Sequence, residues 1–571
     1  MVMNQHYDVV IIGGGPAGST TATLLKKYSP QLRVLILEKE KFPRPHVGES
    51  QLPQVSEVLA EMGCWDKVEA ANFPIKVGST YRWGQDSQPW DFNFLKDEEF
   101  REEARPARYE GQRKQTAFQV DREIYDEILL RHAEEMGCEV REQTAVTKVD
   151  LEPVSDRISG LHLSSGETIT ARYYVDASGH VGILRKALGV ETNCPTQLQN
   201  IAIWDYWTNA EWAVEIGVGG TRVQVMSLPH GWIWFIPLGP ERTSIGFICP
   251  AEHYKNLKKS ATEIYHEAIA SEPRISKLIT NASCRGEIET TKDWSFISER
   301  TVGDNWFLVG EAAGFADPIL AAGMTLTHVG ARELAYTIVA LDQNRHESNW
   351  LKNQYDQNQR RRIQQHIRFA DYWYAANGQF TDLKEHSRTI AQDAGLELNP
   401  DEAFRWLAQG GFTNDIVGQA VIAGFDLGSM KQVMQRFSQQ QIPWEVSGFN
   451  IFELNLATAT KEYLATYANG EINKIESYLR DKYRLPVTGF YGLLIEILGR
   501  TSDIQQIYQH LIAVFKTRFS PQHAQVALNQ ALGCLEVMVT EGWVNATLNP
   551  DKPALNISIP MEGQLVHTSR D

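Results

Sequence analysis

Residues 7–18, YDVVIIGGGPAG, decide the architecture. Tyr7–Ile12 is a short apolar run rich in β-branched side chains, the pattern of a strand buried on both faces of a parallel sheet. Gly13, Gly15 and Gly18 follow in G-x-G-x-x-G spacing with Ala17 among them, and Ser19–Lys26 reads as a helix. Glycines so placed let the backbone turn sharply and approach a pyrophosphate, whose charge meets the amides and positive dipole end of the helix. A second strand, RVLILEKE (33–40), ends at Glu38, 20 residues beyond Gly18, with Lys39 next to it. A carboxylate there can accept both ribose hydroxyls and disfavours a 2′-phosphate. Strand, glycine turn, helix, strand and terminal acid in register predict an α/β, Rossmann-like dinucleotide-binding domain.

Two more strand-to-loop segments lie outward from this unit. Residues 174–185, YVDASGHVGILR, run from an apolar strand into Asp176, Gly179 and Gly182, with Arg185 after them; residues 306–318, WFLVGEAAGFADP, run into Gly310 and Glu311, with a helix expected after Pro318. Both resemble the DG and GD segments of the flavoprotein hydroxylases. That resemblance implies FAD bound in a glutathione-reductase/p-hydroxybenzoate-hydroxylase type fold. In that family the acid of the second segment contacts the ribityl chain and the following helix N-terminus faces the flavin; Glu311 stands here where Asp is usual. Arg122, in FQVDREIYD (118–126), matches another family position near the flavin, and equally reads as an ion pair with its neighbours Asp121 and Glu123. A second G-x-G-x-x-G does not occur, so NAD(P)H docks transiently or a separate flavin reductase supplies the electrons.

Three further features resemble the flavin-dependent halogenases. HVGESQLP (46–53) matches their GES segment, with Ser50 as a flavin contact or, alternatively, a helix cap. FPIKVGSTYRWG (73–84) places Lys76 where those enzymes carry their catalytic lysine. GWIWFIPL (231–238) holds Trp232 and Trp234 in their W-x-W-x-I-P signature, and FADPILAAG (315–323) resembles F-x-x-P-x-x-S-x-G, with Ala321 in place of Ser. The resemblance implies that hypohalous acid forms from chloride or bromide beside the flavin, that Lys76 passes on the electrophilic halogen, and that the two indoles screen flavin from substrate. The halide site is implied at the backbone amides of Gly323 and Met324. An apolar wall would depress the pKa of Lys76 and free its amine at neutral pH. The substrate implied is electron-rich, phenolic or tyrosyl, from secondary metabolism, and free or tethered to a carrier protein. A monooxygenase or reductase of the same fold, and a flavin-binding protein without turnover, are the alternatives.

With 571 residues and 43% hydrophobic composition the chain is long enough for two or three cores. The expected division is a body over 1–377, with an antiparallel substrate-side sheet over about 197–300, and a mainly helical region over 378–571 covering the substrate side. Trp406 and Phe412 of that region are candidate lining residues. A formal charge of −16 argues against nucleic acid as partner. The one compact basic run, Arg360–Arg362, reads as a solvated helix face or a docking patch. Six scattered cysteines show no metal-type spacing, and neither a secretion signal nor a membrane-length apolar run occurs, so a cytoplasmic protein without a metal is expected.

Overall fold

In the computed structural model, residues 5–96, 98–216, 219–393, 421–422, 425–481, 483–557 and 565–566 are described. Trp406 and Phe412 lie outside them. The Gln5–Ile12 strand runs parallel between Val34–Leu37 and Thr168–Asp176. Val9, Val10 and Ile11 have no solvent exposure, which is why this run carries no polar alternation. Glu139–Arg141 extends one edge and Trp306–Leu308 pairs in parallel with the end of Thr168–Asp176. Ile158–Leu163 and Val146–Leu151 add an antiparallel ladder. Ile12 is level with Leu37 and Asp176, and Asp176 with Leu308, so the three motif-bearing loops leave the sheet at one common edge. That edge is where open parallel sheets bind nucleotides.

A second, ten-stranded sheet carries the chemistry expected of residues 73–84 and 231–238. Gln199–Thr208, Arg242–Pro250, Gly231–Gly239 and Gly220–Leu228 pair antiparallel in that spatial order. Ile75–Arg82, the lysine strand, joins Gly220–Leu228 in parallel and Trp90–Asn93 antiparallel. Ile203, Ile233, Phe235, Ile245 and Phe247 bury one face against residues of the Ala261–Ser271 and Pro273–Leu278 helices. The other face is aromatic.

That aromatic face is not covered by the first sheet alone. Trp83, Trp90, Trp232 and Trp234 share one core with Trp373 of the 28-residue Ser348–Ala375 helix and with Phe437, Trp444, Leu535 and Trp543 from beyond residue 378. The C-terminal region supplies the Leu427–Ser438, Gly489–Leu498, Ile504–Arg518 and Pro521–Thr540 helices. It adds a small antiparallel sheet of Thr460–Ala468, Glu471–Arg480 and Tyr483–Pro486. A fully buried ion pair, Lys431 Nζ to Glu536 Oε1 at 2.6 Å, ties two of its helices together. The basic run divides: Arg362 is buried on Glu333 at 2.6 Å, whereas Arg360 is exposed beside Asp356. Among the described residues no helix is long and apolar enough to cross a membrane.

Candidate active site

The glycine loop forms because nothing larger fits. A Cβ on Gly13, at φ +111°, would fall 2.3 Å from the Ala177 carbonyl oxygen, and one on Gly18 would fall 1.9 Å from the Gly13 oxygen. Gly310 packs against Ala17, so the 306–318 segment meets the loop directly. Glu38 Oε2 accepts the Gly14 amide at 2.7 Å and Oε1 the Glu40 amide at 2.9 Å, so the carboxylate braces the loop. Lys39 is exposed and pairs with Glu40. Asp176 is wholly consumed by its own turn: its oxygens accept the Ser178 amide and hydroxyl and the Leu184 and Arg185 amides. It thereby fixes Gly179, at φ +65°, within reach of Glu311.

The 46–51 segment lies as a strap against 118–120. Val120 donates to the Glu49 carbonyl, Gln51 to the Phe118 carbonyl, and Ser50 bridges Gln119. Ser50 is no helix cap: Leu52 occupies that position ahead of the Pro53–Met62 helix, and the buried Ser50 hydroxyl has no partner among the described residues. Arg122 is an ion-paired residue, but not with its neighbours. It clamps Asp126, one helical turn on, at 2.7 and 2.9 Å, and donates to the Val47 and Gly48 carbonyls of the strap. Asp121 and Glu123 instead pair with Arg242. Arg44, unremarked in the sequence, reaches the loop: its Nη2 lies 3.2 Å from where a Gly15 Cβ would stand, and its buried Nη1 has no partner among the described residues.

Lys76 is 1% exposed although it is the second residue of its strand. Its aim depends on a β-bulge. Thr221, Val223 and Val225 alternate onto the aromatic face and pair with Lys76, Ser79 and Tyr81, so Val77 is an extra residue. Without it, Lys76 would point through the opposite face. Gly78 permits the bulge, since a Cβ there would meet the Phe92 oxygen at 2.2 Å. Lys76 Nζ stands 5.5 Å from the Phe94 ring centroid, and among the described residues no carboxylate pairs with it. Burial pulls its pKa down to about 7.

On the same face Trp204, Gly246, Trp234, Val225, Tyr81 and Trp90 stand side by side across six strands. Gly246 makes room for an indole: a Cβ there would lie 2.1 Å from the Trp234 ring. Trp234 Nε1 donates to Ser244 Oγ at 3.1 Å, and Trp232 Nε1 to Tyr374 Oη at 2.8 Å, with the two rings 6.3 Å apart. Asn200 and Tyr374 continue from Trp232 to Asp317, whose carboxyl burial pushes up to about 7. Asp317 caps the Pro318–Leu320 turn, after which Ala321 takes the left-handed φ of +54° and the 20-residue Gly323–Asp342 helix begins. Among the described residues no side chain caps that helix, and the space beside the Gly323 α-carbon is open.

The model of the FAD binding domain family matches residues 6–370. The 1H-pyrrole-2-carbonyl-peptidyl-carrier-protein chlorinase of Pseudomonas fluorescens is 31% identical over 398 residues, 68% of this chain and 88% of that protein. The chain belongs to the flavin-dependent halogenases. Tryptophan 2-halogenase of Chondromyces crocatus is 34% identical over 332 residues, 57% of this halogenase, which spans 60% of that relative's length. The crystal structure of CmlS, a flavin-dependent halogenase, has the same fold at TM-score 0.72 and 22% identity, covering 98% of this halogenase and 99% of that chain. FAD is the cofactor of the halogenase. The residues present fit it: the Gly13–Gly18 turn admits a pyrophosphate, the Arg44 guanidinium reaches that turn with a buried Nη1 that has no partner among the described residues, and Ser50, Gln119 and Thr325 carry buried polar atoms likewise without one.

Proposed function

We propose that this halogenase converts chloride or bromide to hypohalous acid and that Lys76 delivers the halogen to an electron-rich, phenolic or tyrosyl substrate of secondary metabolism. The observation that carries the reading is Lys76 itself: buried, without a counter-ion among the described residues, and turned by a bulge onto the face that bears Trp232 and Trp234. Reduced FAD supplies the electrons that activate O₂. Gly13, Gly15, Ala17, Gly18, Glu38, Ser50, Gly179, Gly310, Glu311 and Arg44 hold the cofactor, with Arg122 and Asp176 positioning the strap and turn that reach it. The Gly323 and Met324 amides and the helix dipole behind them hold the halide. The indoles bar direct contact between flavin and substrate. At neutral pH a large fraction of Lys76 is free amine, able to hydrogen-bond hypohalous acid or take its halogen with release of water. The substrate carbon then accepts the halogen and gives up its proton.

A separate NAD(P)H flavin reductase is the electron source, in keeping with a chain that has one dinucleotide motif. A carrier-tethered substrate is supported by the name of the Pseudomonas relative. The test supplies a flavin reductase, NADH, O₂ and bromide with phenolic and carrier-tethered tyrosyl or pyrrolyl probes, and seeks the halogen isotope pattern by mass spectrometry. Lys76→Ala is expected to consume reduced flavin yet yield no halogenated product. Halogenation by that variant at the parent's rate would overturn the lysine's role.

A further inference from the structure

We infer that Glu49 is the residue that holds, on Oε2, the proton that each halogenation consumes. The inference rests on the proposed activity. Reduced FAD, O₂, halide, one proton and a substrate C–H give oxidised FAD, a C–halogen bond and two waters, so one proton must enter the closed site per turnover. Lys76 is a poor source, because its amine must be free to take halogen.

Three buried carboxyls near the site are pushed up by burial: Glu49, Asp176 and Asp317. Asp176 accepts four donors. Asp317 has the Ile319 amide and Tyr374 on one oxygen and Asn200 on the other. Glu49 alone of the three has an oxygen, Oε2, that is buried and accepts no hydrogen bond within 3.5 Å among the described residues. It is 2% exposed, and it sits on the strap next to Ser50, whose buried hydroxyl likewise has no partner among the described residues. Its other oxygen accepts Tyr206 Oη at 2.9 Å, which orients the carboxyl. The Ser244 hydroxyl, which accepts from Trp234, is a second and longer hydrogen-bonding neighbour of the carboxyl, so the group lies where the strap meets the strand pair that carries Trp234.

Tyr206, Ser244, Arg242 and Arg122 face Glu49 from the surrounding strands and helix, and all favour its ionised form. Burial outweighs them and carries its pKa up to about 7. Arg242 and Arg285, stacked on the Tyr206 ring, extend toward solvent. In each cycle the Glu49 O–H bond breaks, its proton leaves in water, and the carboxylate is recharged from solvent.

The experiment uses the full-length, FAD-loaded protein and Glu49→Gln, which keeps the size and the Tyr206 acceptor. By infrared difference spectroscopy the parent should show a carboxylic C=O band that disappears as pH rises through about 7. One component of that band should be missing in Glu49→Gln and retained in Asp317→Asn, which instead removes the component belonging to Asp317, the other buried carboxyl raised to about 7. At pH 7 the Glu49→Gln rate should fall on the order of 100-fold, with FAD affinity and substrate KM unchanged, and the parent's loss of rate above neutral pH should flatten. A Glu49→Gln variant that keeps the parent's rate and pH profile, or keeps the titrating band at the parent's full amplitude, overturns this inference alone. A parent that shows the band but halogenates no probe overturns the proposed activity and this inference with it.

Discussion

Lys76 spends stability to remain an amine. In the unfolded chain it holds its proton up to about 10.5, whereas in the fold it releases it at about 7. Between those values the unfolded state binds more protons, so stability rises with pH from about 7 to 10.5, and below 7 the cost of a buried charge is felt in full. Lys76→Met should therefore stabilise the protein by on the order of 4 kcal/mol at pH 6, a gain that closes as pH approaches 10; urea unfolding across that range checks it. That a lysine mattered here was legible only through the motifs around it, because burial is a property of the sheet and not of the residue. Arg122 shows how local order misleads. Its adjacent acids point off to Arg242, and its true partner was visible as an acid four residues on. Arg44 and the Glu49 carboxyl carried no such signal, since what brings each to the site is packing between segments distant in sequence.

At the scale of elements, the strands were readable from their β-branched and aromatic runs, but the turn of one strand about its axis was not. The single clue was Gly78, a glycine inside a strand, which marks bulges and close backbone approaches. Gly78→Ala should drive backbone against the Phe92 carbonyl, flatten the bulge and swing Lys76 off the aromatic face. A loss of about 1–3 kcal/mol is expected, together with a several-fold rise in labelling of Lys76 by an amine reagent, read by peptide mass mapping. Unchanged labelling would mean the bulge does not set the lysine's direction. The turns after Asp176 and Asp317, by contrast, were legible because each acid binds backbone amides within a few residues of itself.

For the whole molecule, the parallel sheet and the substrate-side sheet could be foreseen, while the C-terminal small sheet and the ion pair between two helices of that region could not, as no short-range pattern announces that Lys431 meets Glu536 across 105 residues. Glu536→Gln should cost about 3–5 kcal/mol by stranding a buried ammonium, measured by chemical unfolding; replacing both partners with Met and Leu should restore most of the loss. The seam at which Trp83 and Trp90 interlock with Trp373 and Phe437 bears on how such enzymes diversify. A graft exchanging only the segment after residue 378 keeps Trp83, Trp90 and Trp373 together and replaces Phe437, so a chimera that is to stay folded needs a side chain of matching shape at that position.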